Sequence, residues 1–185
     1  MKGLFKQVVR GIALLLALPA ALLAGFGRFF EGFVWGAQAL AMVPGLPGSY
    51  LRVAYYSMTL EACGRDVHIA LGSYFSNTRA RVGNDVSIGA YCVLGRAHIG
   101  DGTQIASGVQ ILSGRRQHSR DEAGRLAEVG RFEQVRVGSQ CWIGAAAVVM
   151  ANLEDRVTVG AGSVVTRDVA DGVTVVGNPA RVLGE

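Results

Sequence analysis

The chain has 185 residues, 50% of them hydrophobic and 17% charged, which excludes a disordered protein and suits one domain with a real core. Its 26 Gly against 4 Pro exclude collagen and Pro-rich linkers and point to many tight turns. The net charge of +4 comes without a dense Lys/Arg cluster, so nucleic acid is not an expected partner, and Cys63, Cys92 and Cys141, far apart and without a C-x-x-C, fit a reducing compartment rather than a disulfide or zinc framework.

The first expected element, residues 1–48, is a hydrophobic helical segment. Gly11 to Gly27 carries no charge and is bracketed by Lys2, Lys6, Arg10 and Arg28. As a helix, its 17 residues would reach about 25 Å, just short of a bilayer core of about 30 Å. A second apolar stretch, Phe29 to Gly48, has Glu31 as its one charge and ends in the breaker Pro44-Gly-Leu-Pro47-Gly. Its aromatics Phe29, Phe30, Phe33 and Trp35 follow Arg28, as in an interfacial helix. Four readings stay open: a cleaved signal peptide, a single span, a re-entrant or interfacial pair of helices, and a buried helix of a soluble oligomer. Residues 49–65 are expected to form a connecting helix.

From about Asp66 an aliphatic residue recurs every six positions, often followed by Gly: Val82-Gly, Ile88-Gly, Leu94-Gly, Ile99-Gly, Ile105-Ala and Ile111. The step from Leu94 to Ile99 is five. The pattern resumes at Val137-Gly, Ile143-Gly and Val149, then at Leu153, Val159-Gly and Val165. Small or β-branched residues sit two positions earlier, among them Ala80, Val86, Cys92, Val135, Cys141, Ala147 and Ser163. A period of six fits neither a helix nor a simple strand alternation; it fits a solenoid over residues 66–182 with one hexad per flat face. The Gly or Asn after each aliphatic is expected to permit the corners. Residues 112–134 (LSGRRQHSRDEAGRLAEVGRFEQ) are polar, interrupt the hexads, and read as an inserted loop.

This repeat resembles the hexapeptide-repeat acyltransferases, most closely the sugar O-acetyltransferase branch that includes the maltose and galactoside acetyltransferases. The resemblance rests on Cys141-Trp-Ile-Gly, on Val159-Gly-Ala-Gly-Ser-Val-Val-Thr-Arg-Asp168, and on Val176-Gly-Asn-Pro-Ala-Arg-Val182, in that order and at compatible spacing. It implies a left-handed parallel β-helix, all-β, here with an N-terminal hydrophobic helical extension. It also implies an acetyl-CoA-dependent O-acyltransferase acting on a sugar, glycan or lipid-linked glycan hydroxyl, without a metal and as a homotrimer.

Such a reaction needs a base for the attacking hydroxyl. His68 and His98 lie within hexads and read as solenoid surface residues, whereas His118 lies in the inserted loop, where the family carries its catalytic His. Counted without a gap, the family position falls on Arg116, two residues earlier. Asp121 or Glu122 would orient the ring, as a carboxylate orients histidine elsewhere. On the cofactor side, the resemblance assigns coenzyme A contacts to Ala161, Thr166 and Arg181. Gly160 and Gly162 let the cofactor arm lie close, and Arg167 stands where the family usually has Lys. Ala145 matches a position where some members have Ser, and Asn77 roughly matches an acceptor-binding Asn. Asn178-Pro179 resembles a cis turn that ends the solenoid. Because acetyl-CoA is cytosolic, the resemblance favours attachment through residues 1–48 to the cytoplasmic face of the inner membrane. Two rivals remain: a non-catalytic trimeric scaffold, and a metal lyase of the γ-carbonic-anhydrase type, which would need all three His to converge.

Overall fold

The computed structural model describes residues 2–115, 124–126 and 132–184. Three helices precede a solenoid of three parallel sheets arranged as a prism. Sheet A stacks Ala62–Cys63, Arg81–Val82, Ala97–Ile99 and Val135–Val137, and is continued by single bridges at Leu153 and Val169. Sheet B stacks His68–Ile69, Ser87–Ile88, Gln104–Ile105, Trp142–Ile143, Thr158–Val159 and Thr174–Gly177, closed by an antiparallel Ala180–Val182. Sheet C stacks Tyr74–Phe75, Val93–Leu94, Gln110–Ile111, Val148–Val149 and Val164–Val165. Each aliphatic of the hexad points inward and meets its counterpart one coil away, as in Ile69, Ile88, Ile105, Ile143 and Val159 up sheet B. The five-residue step is a shortened corner at Gly95–Arg96 between sheets C and A.

The glycines do different work from that expected. The left-handed residue that turns each corner stands three places after the inward aliphatic: Gly72, Tyr91, Gly108, Ala146 and Gly162 between sheets B and C. Most of the glycines immediately after the aliphatics keep ordinary dihedrals and are small because the neighbouring coil crowds them. A Cβ on Gly89 would lie 2.5 Å from the Ser107 amide nitrogen, and one on Gly144 would lie 2.5 Å from that of Ala161. Gly144→Ala is therefore expected to cost about 2 kcal/mol through overpacking and to lower Tm by roughly 4–8 °C. A melting curve superimposable on the wild type would show that the coils part at no cost.

Helix α1 (Lys2–Leu23) is Ala- and Leu-rich and ends at Gly25 and Gly27, both in the left-handed region. Helix α2 (Phe30–Ala41) stops before Pro44, and α3 (Gly45–Thr59) follows. The expected connecting helix thus starts at Gly45, and the solenoid already begins at Ala62. Ala13, Ala17 and Ala21 form the buried stripe of α1, and Ala24 just past its end is buried with them. The opposite stripe, from Leu4 and Val8 through Ile12, Leu15, Leu16, Leu22 and Leu23, is exposed, Leu15 by 72%.

Helix α3 closes the open end of the prism with one inward stripe, Ser49, Arg52 and Tyr56. The Ser49 hydroxyl accepts from the Ile69 amide at 3.2 Å, and the Tyr56 hydroxyl accepts from the Phe75 amide at 3.0 Å. Arg52, 1% exposed, donates through Nε and Nη2 to the Ile69 carbonyl at 3.0 and 2.9 Å. Its Nη1 donates to the carbonyls of Leu40, Ala41 and Val43 at the end of α2. Phe33, Tyr55, Tyr56 and Phe75 pack as a buried aromatic cluster beside it. Burial pushes the Tyr55 phenol up to about 12, and its hydroxyl donates to the Phe33 carbonyl at 2.8 Å.

Candidate active site

The candidate residues gather around the late part of sheet C. Strand Val164–Val165 has the Gly160–Ser163 corner at one end and Thr166–Asp168 at the other. The Gly162 amide donates to the Ala145 carbonyl at 2.8 Å, stacking the two corners. Ala145, Ala161 and Gly162 are exposed, and a Cβ on Gly162 would meet nothing within 4 Å. Gly160 differs: a Cβ there would sit 2.7 Å from Val176 Cγ1, so its smallness serves packing. The shelf is therefore Ala145, Ala161 and Gly162.

The hairpin of Thr174–Gly177 and Ala180–Val182 adjoins this shelf. The Gly177 amide donates to the Ser163 hydroxyl at 3.0 Å, and the intervening Asn178-Pro179 bond is cis, as expected. Arg181 on that hairpin and Arg167 beyond Thr166 are both exposed. A bare flank and two exposed guanidinium groups on the same last coils suit a narrow amide-containing chain that ends in phosphates.

The inserted loop has its root at the Thr166 end of sheet C, across the strand from the shelf. Its neck is closed by the Glu133 amide donating to the Ser113 carbonyl at 2.9 Å, and the Ser113 hydroxyl accepts from the Arg96 amide at 2.9 Å. From the neck, Arg115 donates through Nη1 to the Thr166 carbonyl at 2.7 Å. Sequence reasoning did not single out Arg115; an Arg beside a loop root carries no signal that distinguishes it from a solvated one. His118, Asp121 and Glu122, as well as Arg116, lie outside the described residues.

Asn77 is not brought to the shelf within one chain. It sits at the first-coil corner, four strand spacings of about 4.8 Å, or roughly 19 Å, from Val164–Val165. Its Oδ1 accepts from the Arg79 amide at 2.9 Å, capping its own turn. His68 and His98 lie on different sheets, B and A. His68 Nδ1 is 3.0 Å from the Ser49 hydroxyl, and His98 Nε2 is 3.3 Å from the Arg79 carbonyl. Partial burial draws the His98 imidazole below its ordinary pKa. Burial raises the thiols of Cys92 and Cys141 and takes Cys63 to about 11, so none offers a thiolate at neutral pH.

Two family descriptions match: the bacterial transferase hexapeptide (six repeats) over residues 79–113, and the hexapeptide repeat of succinyl-transferase over residues 134–167. Nodulation protein L of Rhizobium meliloti is 42% identical over 113 residues, 55% of this chain and 61% of that protein. A UDP-3-O-acylglucosamine N-acyltransferase of Delftia acidovorans is 36% identical over 93 residues, 47% of this chain and 28% of that one. The chain spans less than two thirds of the length of the curated relatives it matches. Among solved structures, a maltose O-acetyltransferase from Clostridium difficile shares the fold with TM-score 0.68 at 24% identity, over 88% of this chain and 87% of that one. A galactoside acetyltransferase in complex with coenzyme A shares it with TM-score 0.61 at 19% identity, over 88% and 82%. The two family matches lie on either side of the inserted loop, and the chain carries hexapeptide repeats in both segments.

Proposed function

We propose that the protein is an acetyl-CoA-dependent O-acyltransferase that modifies a hydroxyl of a sugar or glycan. The observation that carries this reading is the Arg115–Thr166 bond. It ties Arg115, three residues before His118 in the sequence, to Thr166, at the other end of strand Val164–Val165 from the Ala145–Ala161–Gly162 shelf. In this reading the pantetheine arm lies along the shelf, and Arg167 and Arg181 meet the phosphates. His118 accepts the proton of the acceptor hydroxyl as its oxygen attacks the thioester carbonyl carbon. The C–S bond then breaks, and the sulfur leaves as the thiol of coenzyme A with that proton. The acyltransferase-named relatives and the transferase repeat support the reading. Ala161→Trp is expected to raise the Kd for coenzyme A about tenfold or more with Tm unchanged, since the position is exposed. Calorimetric titration checks this, and undiminished affinity in the variant would move the cofactor elsewhere.

The same reading includes a homotrimer, with the outward residues of sheet C, Tyr74, Val93, Val148 and Val164, as a packing face. The shelf and Thr166 would then border the junction between subunits. It also includes attachment to the cytoplasmic face of the inner membrane. Lys6–Leu23 is long and apolar enough to cross a bilayer by length and composition. Two features favour lying along the surface instead. Lys6 and Arg10 pair with Asp66 of the first coil, and Gly27, beyond the other end of α1, is pressed against the Thr59 carbonyl. Held at both ends, α1 offers its exposed leucine stripe as an interfacial face, with Phe29, Phe30 and Trp35 beside it.

A further inference from the structure

A cleft of about 440 Å³ lies between α1, α3 and the first coil, on the far side of the chain from the shelf. That volume is within the range of small-ligand sites. Its mouth carries Lys6, Arg10 and Arg65 against a single carboxylate, Asp66. Lys6 Nζ and Arg10 Nη2 both bond the same Asp66 oxygen, Oδ1, and this pairing holds the carboxyl below its usual range, first through the Lys6 hydrogen bond. Three cations facing one anion leave the mouth net positive. Leu14, Leu46, Tyr50, Val53 and Ala54 form an apolar wall, with Ser49, Ser57 and His68 also lining the cleft. Leu14 and Leu46 are themselves 40% and 67% exposed, so this wall runs without a break onto the outer apolar surface.

We infer that this cleft binds the phosphate-bearing headgroup of an anionic membrane lipid. The phosphate would sit among Lys6, Arg10 and Arg65, and the hydrocarbon would leave along Leu14 and Leu46 into the bilayer. The pairing of a basic mouth with an apolar exit selects an amphiphile over a free anion, because a free phosphate has no use for the exit. Guanidinium and ammonium donors suit a phosphate oxygen. This inference rests on the interfacial attachment proposed above, and the experiment separates the two.

The full-length protein is floated with neutral phosphatidylcholine vesicles and with vesicles that also contain phosphatidylglycerol. Binding to both, with about a tenfold preference for the anionic vesicles, is expected, in line with the contribution of a few basic residues at an anionic surface. Arg65→Gln and Ser57→Trp should each remove most of that preference while leaving binding to neutral vesicles intact. Ser57 is exposed on the cleft rim, so the Trp fills the opening without altering charge or core. A preference that survives Ser57→Trp would assign it to diffuse surface charge and overturn the cleft. Displacement by soluble glycerol phosphate as effective as by lipid would overturn the choice of a lipid. Equal binding to both vesicle types overturns the cleft alone, whereas failure to float with either overturns the attachment beneath it.

Discussion

His118→Ala is expected to lower turnover by about 100-fold or more while leaving coenzyme A affinity unchanged, the pattern of a lost general base. The contrast with Ala161→Trp is diagnostic, since that change should act on cofactor binding and this one on the chemical step. In the wild type, turnover should rise with pH as the base loses its proton, because only the unprotonated imidazole can accept one. In His118→Ala the rise should vanish. Arg116 cannot substitute, as guanidinium does not lose its proton at working pH. A variant that keeps near-normal turnover would place the base elsewhere in the chain.

Arg52→Ala is expected to destabilise the protein by about 4 kcal/mol, the largest effect foreseen away from the inserted loop. Among the described residues no carboxylate pairs with this buried side chain, and its charge is spread over four carbonyls, those of Leu40, Ala41, Val43 and Ile69. Truncation leaves these oxygens without their donors and opens a cavity at the junction of α2, α3 and the first coil. Arg52→Lys should recover only part of the loss. One ammonium on a single atom cannot reach both the end of α2 and the Ile69 carbonyl as the planar guanidinium does. Urea titration of the two variants gives the order, and equal stability of Lys and Arg at this position would rule out the two-sided role.

The solenoid could be read from the chain because its signal is local and repeated. Within each coil the inward aliphatics from Val82 to Val165 follow the six-residue period, and the short steps to Ile99 and Leu153 both map onto short corners between sheets C and A. The reason for the glycines could not be read the same way. Whether Gly144 is small for its dihedrals or for its neighbour depends on the Ala161 backbone one coil on, a contact that no local pattern encodes. The start of the prism was also hidden, because Ala62–Cys63 lacks a clean preceding hexad. Ser49, Arg52 and Tyr56 look like an ordinary mixed helix face in sequence, and only the unpaired edge of the first coil gives them their purpose. At the candidate site, the small-residue run showed its place but not its division of labour. Gly160 turns out to serve the hairpin, and Arg115 had no pattern to announce it.

The stripe of α3 that meets the first coil has a consequence for handling the protein. A parallel solenoid has two raw ends, each a row of amides and carbonyls ready to accept another strand. At the late end the antiparallel Ala180–Val182 turns back over sheet B. At the early end the Ser49, Arg52 and Tyr56 side chains, with the Ala41 carbonyl receiving the Gly72 amide at 2.8 Å, occupy those groups instead. Cutting away the greasy helices to obtain a well-behaved fragment would therefore strip the plug from the early end. Such a fragment should stack end to end into filaments rather than gain solubility.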